Sequence, residues 1–123
     1  MRRIPLMLAA TLLAGCGGVT SPGGGGGPVG NVTVGNIFFR SVRNGTANPA
    51  VDTIAAGDSI TWTWNAAGSH TIRSNGLVPE IFLNSVVMSG ANDSYTVTFR
   101  TPGTYTYDCM IHGSAMTGRI VVQ

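Results

Sequence analysis

Strict two-residue alternation in short segments constrains this chain more than any other feature. In residues 58–64, Ile60, Trp62 and Trp64 fall on one side of an extended chain, and Ser59, Thr61 and Thr63 fall on the other. Residues 94–99 repeat the pattern with Tyr95, Val97 and Phe99, and residues 104–109 with Tyr105, Tyr107 and Cys109. Thr101-Pro102-Gly103 is a turn between those two segments. Residues 31–40 are rich in Val, Ile and Phe, and 117–122 close the chain as a further strand. No stretch sustains a helical period, although 78–88 is ambiguous and has room for one short helix or turn. Short alternating strands separated by turn signals predict an all-β fold, a two-sheet Greek-key β-sandwich.

The strands occupy residues 31–123, one domain of ordinary size. Ahead of them, residues 17–30 contain eight glycines, including all of 23–27, with Pro22 and Pro28 as the only stiffeners. No core can form from that composition. As a flexible coil of this length it spans about 20 Å. The first residues have the form of a targeting signal: Arg2 and Arg3, then an apolar run over 4–13 far too short to cross a bilayer. The run ends in Leu13-Ala14-Gly15-Cys16, which resembles the lipobox of bacterial lipoproteins. The resemblance implies removal of residues 1–15, acylation of Cys16, and a glycine-rich arm over 16–30. Several acyl chains anchor stably where one does not. The expected location is therefore the periplasmic face or outer surface of a bacterial membrane.

Without Arg2 and Arg3, five arginines face five acidic residues, so no basic face is available to offset phosphate charge. Nucleic-acid binding is excluded on that ground. Cysteine use is more informative. With Cys16 assigned to lipid, Cys109 stands alone in an oxidising compartment. The domain's two histidines are His70 and His112, and Met116 follows His112 by four residues. One thiolate, two imidazoles and a thioether are the donors of a type 1 copper site, a His-His-Cys plane with a weak axial Met. Zinc accepts the Cys-His-His part of such a set, but a thioether is a poor fourth ligand for it.

The segment 102–122, from Pro102-Gly103 through Cys109, His112 and Met116 to Gly118-Arg119-Ile120-Val121-Val122, resembles the copper loop of cupredoxins such as plastocyanin, pseudoazurin and amicyanin. Gly57-Asp58, Trp62, Trp64 and Ser69-His70-Thr71 resemble the family's strand and first-ligand segment. The likeness covers most of 31–123. It implies one type 1 copper ion held by His70, Cys109, His112 and Met116. It also implies a monomeric electron carrier rather than an enzyme, with redox proteins as partners, membrane-associated ones given the anchor.

Three departures stand out. Thr71 replaces the Asn that many relatives use to brace the two ligand-bearing loops, and its hydroxyl has a shorter reach. Ile111 replaces a Pro that several relatives carry before the second His, which leaves a backbone N–H available to the Cys109 sulfur. Asp108 stands where plastocyanin has an exposed Tyr, so a second, remote electron exit is not expected. Gly113, Ser114 and Ala115 surround His112 with small groups suited to transient docking.

Two other functions compete with the carrier. One is a cupredoxin domain for copper storage, delivery or sensing; the other is a sandwich that binds protein and no metal. A copper enzyme is disfavoured because no histidine remains for a second centre. A Cys–His nucleophile is disfavoured because nothing supplies an orienting third member. Trp62 and Trp64 are expected in the core rather than in an electron relay.

Overall fold

Alternation places one face of each strand against the other sheet, and the observed burial follows it closely. The structure is a computed structural model that describes residues 28–65, 68–76, 82 and 84–123. Its strands are β1 (Pro28–Gly35), β2 (Phe38–Ser41), β3 (Ala50–Ile54), β4 (Ser59–Trp64), β5 (Arg73–Asn75), β6 (Ser94–Thr98), β7 (Gly103–Cys109) and β8 (Gly113–Val122). They form two four-stranded sheets, ordered β2-β1-β4-β6 and β3-β8-β7-β5. The pairs β1–β4 and β3–β8 are parallel, and the others antiparallel. This is the expected two-sheet sandwich.

Its core is aromatic. Trp62 and Trp64 are fully buried, as expected. Trp62 meets the Tyr107 ring edge-on at 5.1 Å, Phe39 packs on Tyr107 at 5.0 Å, and Phe99 meets Tyr105 at 4.9 Å. Each such contact adds about 0.5–1.5 kcal/mol beyond simple area burial. The Tyr105 hydroxyl donates to the Thr101 carbonyl at 2.6 Å, which satisfies its polar end.

The strand plan differs from the expectation in four places. The single strand over 31–40 is a hairpin, because the chain turns at Asn36 and Ile37 and Ile37 takes a left-handed φ of 58°. The Asn48 amide donates to the Ile37 carbonyl and holds that turn. The final strand starts at Gly113 rather than 117. β3 and β5 had no alternation long enough to be recognised. Finally, β1 begins inside the glycine-rich segment: Pro28 pairs with Ser59 and Gly30 with Ile60. Gly30 suits that position, since a Cβ there would lie 2.3 Å from Ile60 Cδ1. The segment 16–27 lies outside the described residues. So do 78–81 and 83 of the ambiguous stretch; residues 82 and 84–88 are not helical, and Met88 forms a β bridge with His70.

A buried acid on β3 stands out. Asp52 faces inward from β3 and is 1% exposed; its Oδ1 accepts the Ser41 hydroxyl at 2.7 Å, and its Oδ2 has no partner among the described residues. Burial raises its pKa, against smaller lowering effects from the Ser41 hydrogen bond and the Arg43 charge. The folded protein therefore holds this proton more tightly than the unfolded chain. Its contribution to stability is full below the unfolded value and is lost as pH rises through the folded one. Asp52→Asn, which keeps an acceptor for Ser41 and removes the charge, is expected to stabilise the protein at neutral pH by about 1 kcal/mol. Urea midpoints measured from acid to neutral pH check this, and unchanged midpoints would show Asp52 ionised and hydrated within the fold.

Candidate metal centre

The four candidate donors come from three parts of the sandwich. Cys109 is the last residue of β7, inward-facing in phase with Tyr105 and Tyr107, and fully buried. The chain then reverses, with His112 N–H donating to the Cys109 carbonyl at 3.2 Å. Gly113 starts β8 with a left-handed φ of 55°, which glycine adopts without steric cost. His112 is thereby set half-buried on a tight turn. Met116 is fully buried on β8, and the next N–H, that of Thr117, donates to Asn48 Oδ1 at 3.4 Å. His70 arrives from the segment between β4 and β5, where its backbone N–H and C=O each pair with Met88 at 3.0 Å.

Cys109 Sγ lies 3.5 Å from His112 Nδ1 and 3.9 Å from His70 Nδ1. All three donor atoms lie within 4.8 Å of one another. An ion in a trigonal plane, about 2.0 Å from nitrogen and about 2.3 Å from sulfur, separates the two by about 3.7 Å. The observed distances bracket that value, so the residues present fit a single metal ion. The two imidazole rings are 5.0 Å apart. Burial, and then the neighbouring His112, push the His70 pKa below the ordinary histidine value, which weakens proton competition at a ligand nitrogen. With Nδ1 turned to the sulfur, the His70 proton belongs on Nε2, which is buried and meets no partner among the described residues.

The residues around the sulfur answer two of the sequence departures. Thr71 N–H, not that of Ile111, approaches Cys109 Sγ, at 3.5 Å. The Thr71 hydroxyl accepts the Met110 N–H at 2.8 Å, so a short side chain still joins the two ligand-bearing loops. Ile111 points outward and is 49% exposed.

The model of copper binding proteins of the plastocyanin/azurin type matches residues 47–123, more than half of the chain. The chain belongs to this family. A chloroplastic plastocyanin from Tetradesmus obliquus is 38% identical over 82 residues, 61% of this chain and 57% of that protein. Amicyanin-alpha from Methylorubrum extorquens is 35% identical over 71 residues, 57% of this chain and 58% of that protein. The chain thus spans little more than half the length of these relatives. Among solved structures, an oxidised amicyanin variant is similar with a TM-score of 0.59 and 25% identity, covering 87% of this chain and 88% of that one. A purple cupredoxin from Nitrosopumilus maritimus shares the fold, with a TM-score of 0.59 and 23% identity over 76% of this chain and 98% of that one.

As a member of this copper-binding family, the chain is a copper-binding protein, and His70, Cys109 and His112 are the candidate donors that the structure brings within 4.8 Å of one another. Two features around the site were not apparent in the sequence. Asp108, next to Cys109, is 4% exposed and accepts two hydrogen bonds from the Arg73 guanidinium, Nε to Oδ1 and Nη2 to Oδ2, both 2.7 Å. Apolar side chains are exposed nearby in sequence: Met110 at 56%, and Val86 and Val87 just before the Met88 that pairs with His70.

Proposed function

We propose that this protein is an electron carrier that shuttles single electrons between redox partner proteins and works from a membrane surface. Bound copper would supply the one-electron couple, cycling between Cu(I) and Cu(II). The chain's own contribution is to hold the donors still. Cys109 is anchored in a strand, His112 on a tight turn, His70 in a backbone bridge, and Thr71 joins the loops. Ligands held in one arrangement for both oxidation states need little rearrangement on electron gain or loss. The observation that carries this reading is the convergence of the two imidazole nitrogens on the buried sulfur of Cys109, at 3.5 and 3.9 Å. Both histidines of the chain are used there, leaving none for a second copper centre and substrate turnover.

The half-buried His112 is the electron's exit. Gly113 beside it is half-buried, Ser114 and Ala115 are exposed, and Met110 and Ile111 extend the weakly polar surface. Such a patch suits brief, small interfaces with a redox partner. Voltammetry of the copper-loaded domain tests the carrier directly. A reversible one-electron wave with copper retained through many cycles is expected. An irreversible wave, with copper lost readily to a chelator, would support copper storage or delivery instead.

Met116 tunes the metal rather than holding it. A weak axial thioether affects reduction potential more than affinity. Met116→Leu, which keeps the bulk in this buried position, is expected to retain copper and raise the potential, since Cu(II) loses a donor that Cu(I) needs less. Complete loss of copper from this variant would make Met116 a primary ligand.

Membrane attachment rests on Leu13-Ala14-Gly15-Cys16 and the glycine-rich arm that follows. A flexible tether raises the effective concentration of membrane-bound partners without adding contacts, and lets the domain turn its His112 end from donor to acceptor. Fractionation of the native host is expected to recover the protein with membranes and a Cys16→Ala variant in the soluble fraction. Unlipidated wild-type protein in the soluble fraction would replace the tethered carrier with a diffusing one.

A further inference from the structure

We infer that Arg73 and Asp108 are positioning residues for the copper ligands: their ion pair holds the segment bearing His70 in register against Cys109. β5 is a strand of three residues whose only strand neighbour among the described residues is β7. Arg73 lies opposite Asp108 in that pairing, three residues after His70 and one before Cys109. It is the register pair nearest the ligands.

The chemistry of the pair is stronger than that of an ordinary surface ion pair. Asp108 is nearly buried, whereas the Arg73 side chain is 38% exposed. Both carboxylate oxygens are engaged by the planar fork of the guanidinium, and Asn75 Nδ2 adds a third donor to Oδ2 at 3.2 Å. A bidentate arginine fixes direction as well as distance. The opposite end of the clamp is Thr71, whose N–H meets the Cys109 sulfur and whose hydroxyl takes the N–H of Met110. Asp108 and Met110 flank Cys109, and the residues gripping them, Arg73 and Thr71, both come from the segment that begins with His70. The 3.9 Å between His70 Nδ1 and Cys109 Sγ is therefore set from both sides. Thr71 acts on the Met110 side of Cys109; on the Asp108 side the ion pair reinforces the backbone pairing of a strand only three residues long.

The inference rests on the copper site described above, and its test separates the two. Four proteins are compared: wild type, Arg73→Lys, Arg73→Gln, and the double variant Arg73→Gln/Asp108→Asn. The double variant removes the pair without leaving a buried carboxylate unpaired, so it remains informative if Arg73→Gln fails to fold. In the apoproteins, the Met110 and Thr71 amides are expected to exchange hydrogen about tenfold faster in the double variant than in wild type. In the copper-loaded proteins, electron self-exchange is expected to slow about tenfold, with a changed copper hyperfine splitting in the paramagnetic resonance spectrum. Arg73→Lys restores the charge but not the fork, so it is expected to stay altered in both readouts. Full recovery in Arg73→Lys would assign the effect to charge and overturn the positioning role. Lower melting temperatures with wild-type splitting, self-exchange and amide exchange would overturn it as well. A wild-type protein that takes up no copper would overturn the site reading instead, and amide exchange in the apoproteins would still decide the clamp.

Discussion

Cys109→Ser is expected to eliminate the visible copper–thiolate absorption completely and to leave the sandwich folded. The colour of a type 1 site comes from its thiolate, and Cys109 is the one cysteine among the described residues. The fold has little reason to collapse. A serine hydroxyl occupies less space than the thiol, and its polar neighbours are already in place: Thr71 N–H, His70 Nδ1 and His112 Nδ1. The core is built from Trp62, Trp64, Tyr105, Tyr107 and Phe99, which the substitution does not touch. Visible absorption after copper addition, with circular dichroism melting of the same samples, checks both halves. A retained intense band would remove Cys109 from the site.

Gly118→Ala carries the largest expected effect on stability. Gly118 pairs with Tyr107 across β7 and β8, and the Tyr107 ring lies over it. An added Cβ would stand 2.0 Å from Tyr107 Cζ and 2.2 Å from its hydroxyl oxygen. The ring has nowhere to go, because Phe39 and Trp62 pack against it at 5.0 and 5.1 Å. Overpacking of this kind costs about 3 kcal/mol, at the upper end of its usual range, and about half of the stability of a marginal domain of this size can disappear with it. Cys109 and Met116 each lie two residues away on these same strands, so copper binding should weaken too. Urea denaturation measures the effect. A midpoint close to wild type would show that the ring has room to move.

The sequence made the candidate donors legible because the residue types were scarce. One thiol and two histidines in the domain left few chemistries open, and the site brings all three together. Trp62 and Trp64, expected in the core, are fully buried there, as alternation on a half-buried strand requires. The same logic could not find β5, whose Arg-Ser-Asn carries no apolar residue. Nor could it find the Arg73–Asp108 pair, which depends on a register between residues 35 apart in the chain. Asp108 in particular reads as a surface acid by type; the Arg73 guanidinium and the Asn75 amide compensate its burial. The sulfur's hydrogen bond was expected from Ile111, the nearer residue in sequence. It comes instead from Thr71, because the β5–β7 register carries that N–H past the sulfur.

Titrating Cu(II) into the purified apoprotein while recording the visible spectrum addresses the copper site most directly. Uptake of one copper per chain is expected, with an intense thiolate-to-copper band rising in proportion and saturating at that ratio. A protein that stays colourless, or that binds copper with only the weak absorption of nitrogen and oxygen ligands, would contradict a type 1 site built on Cys109.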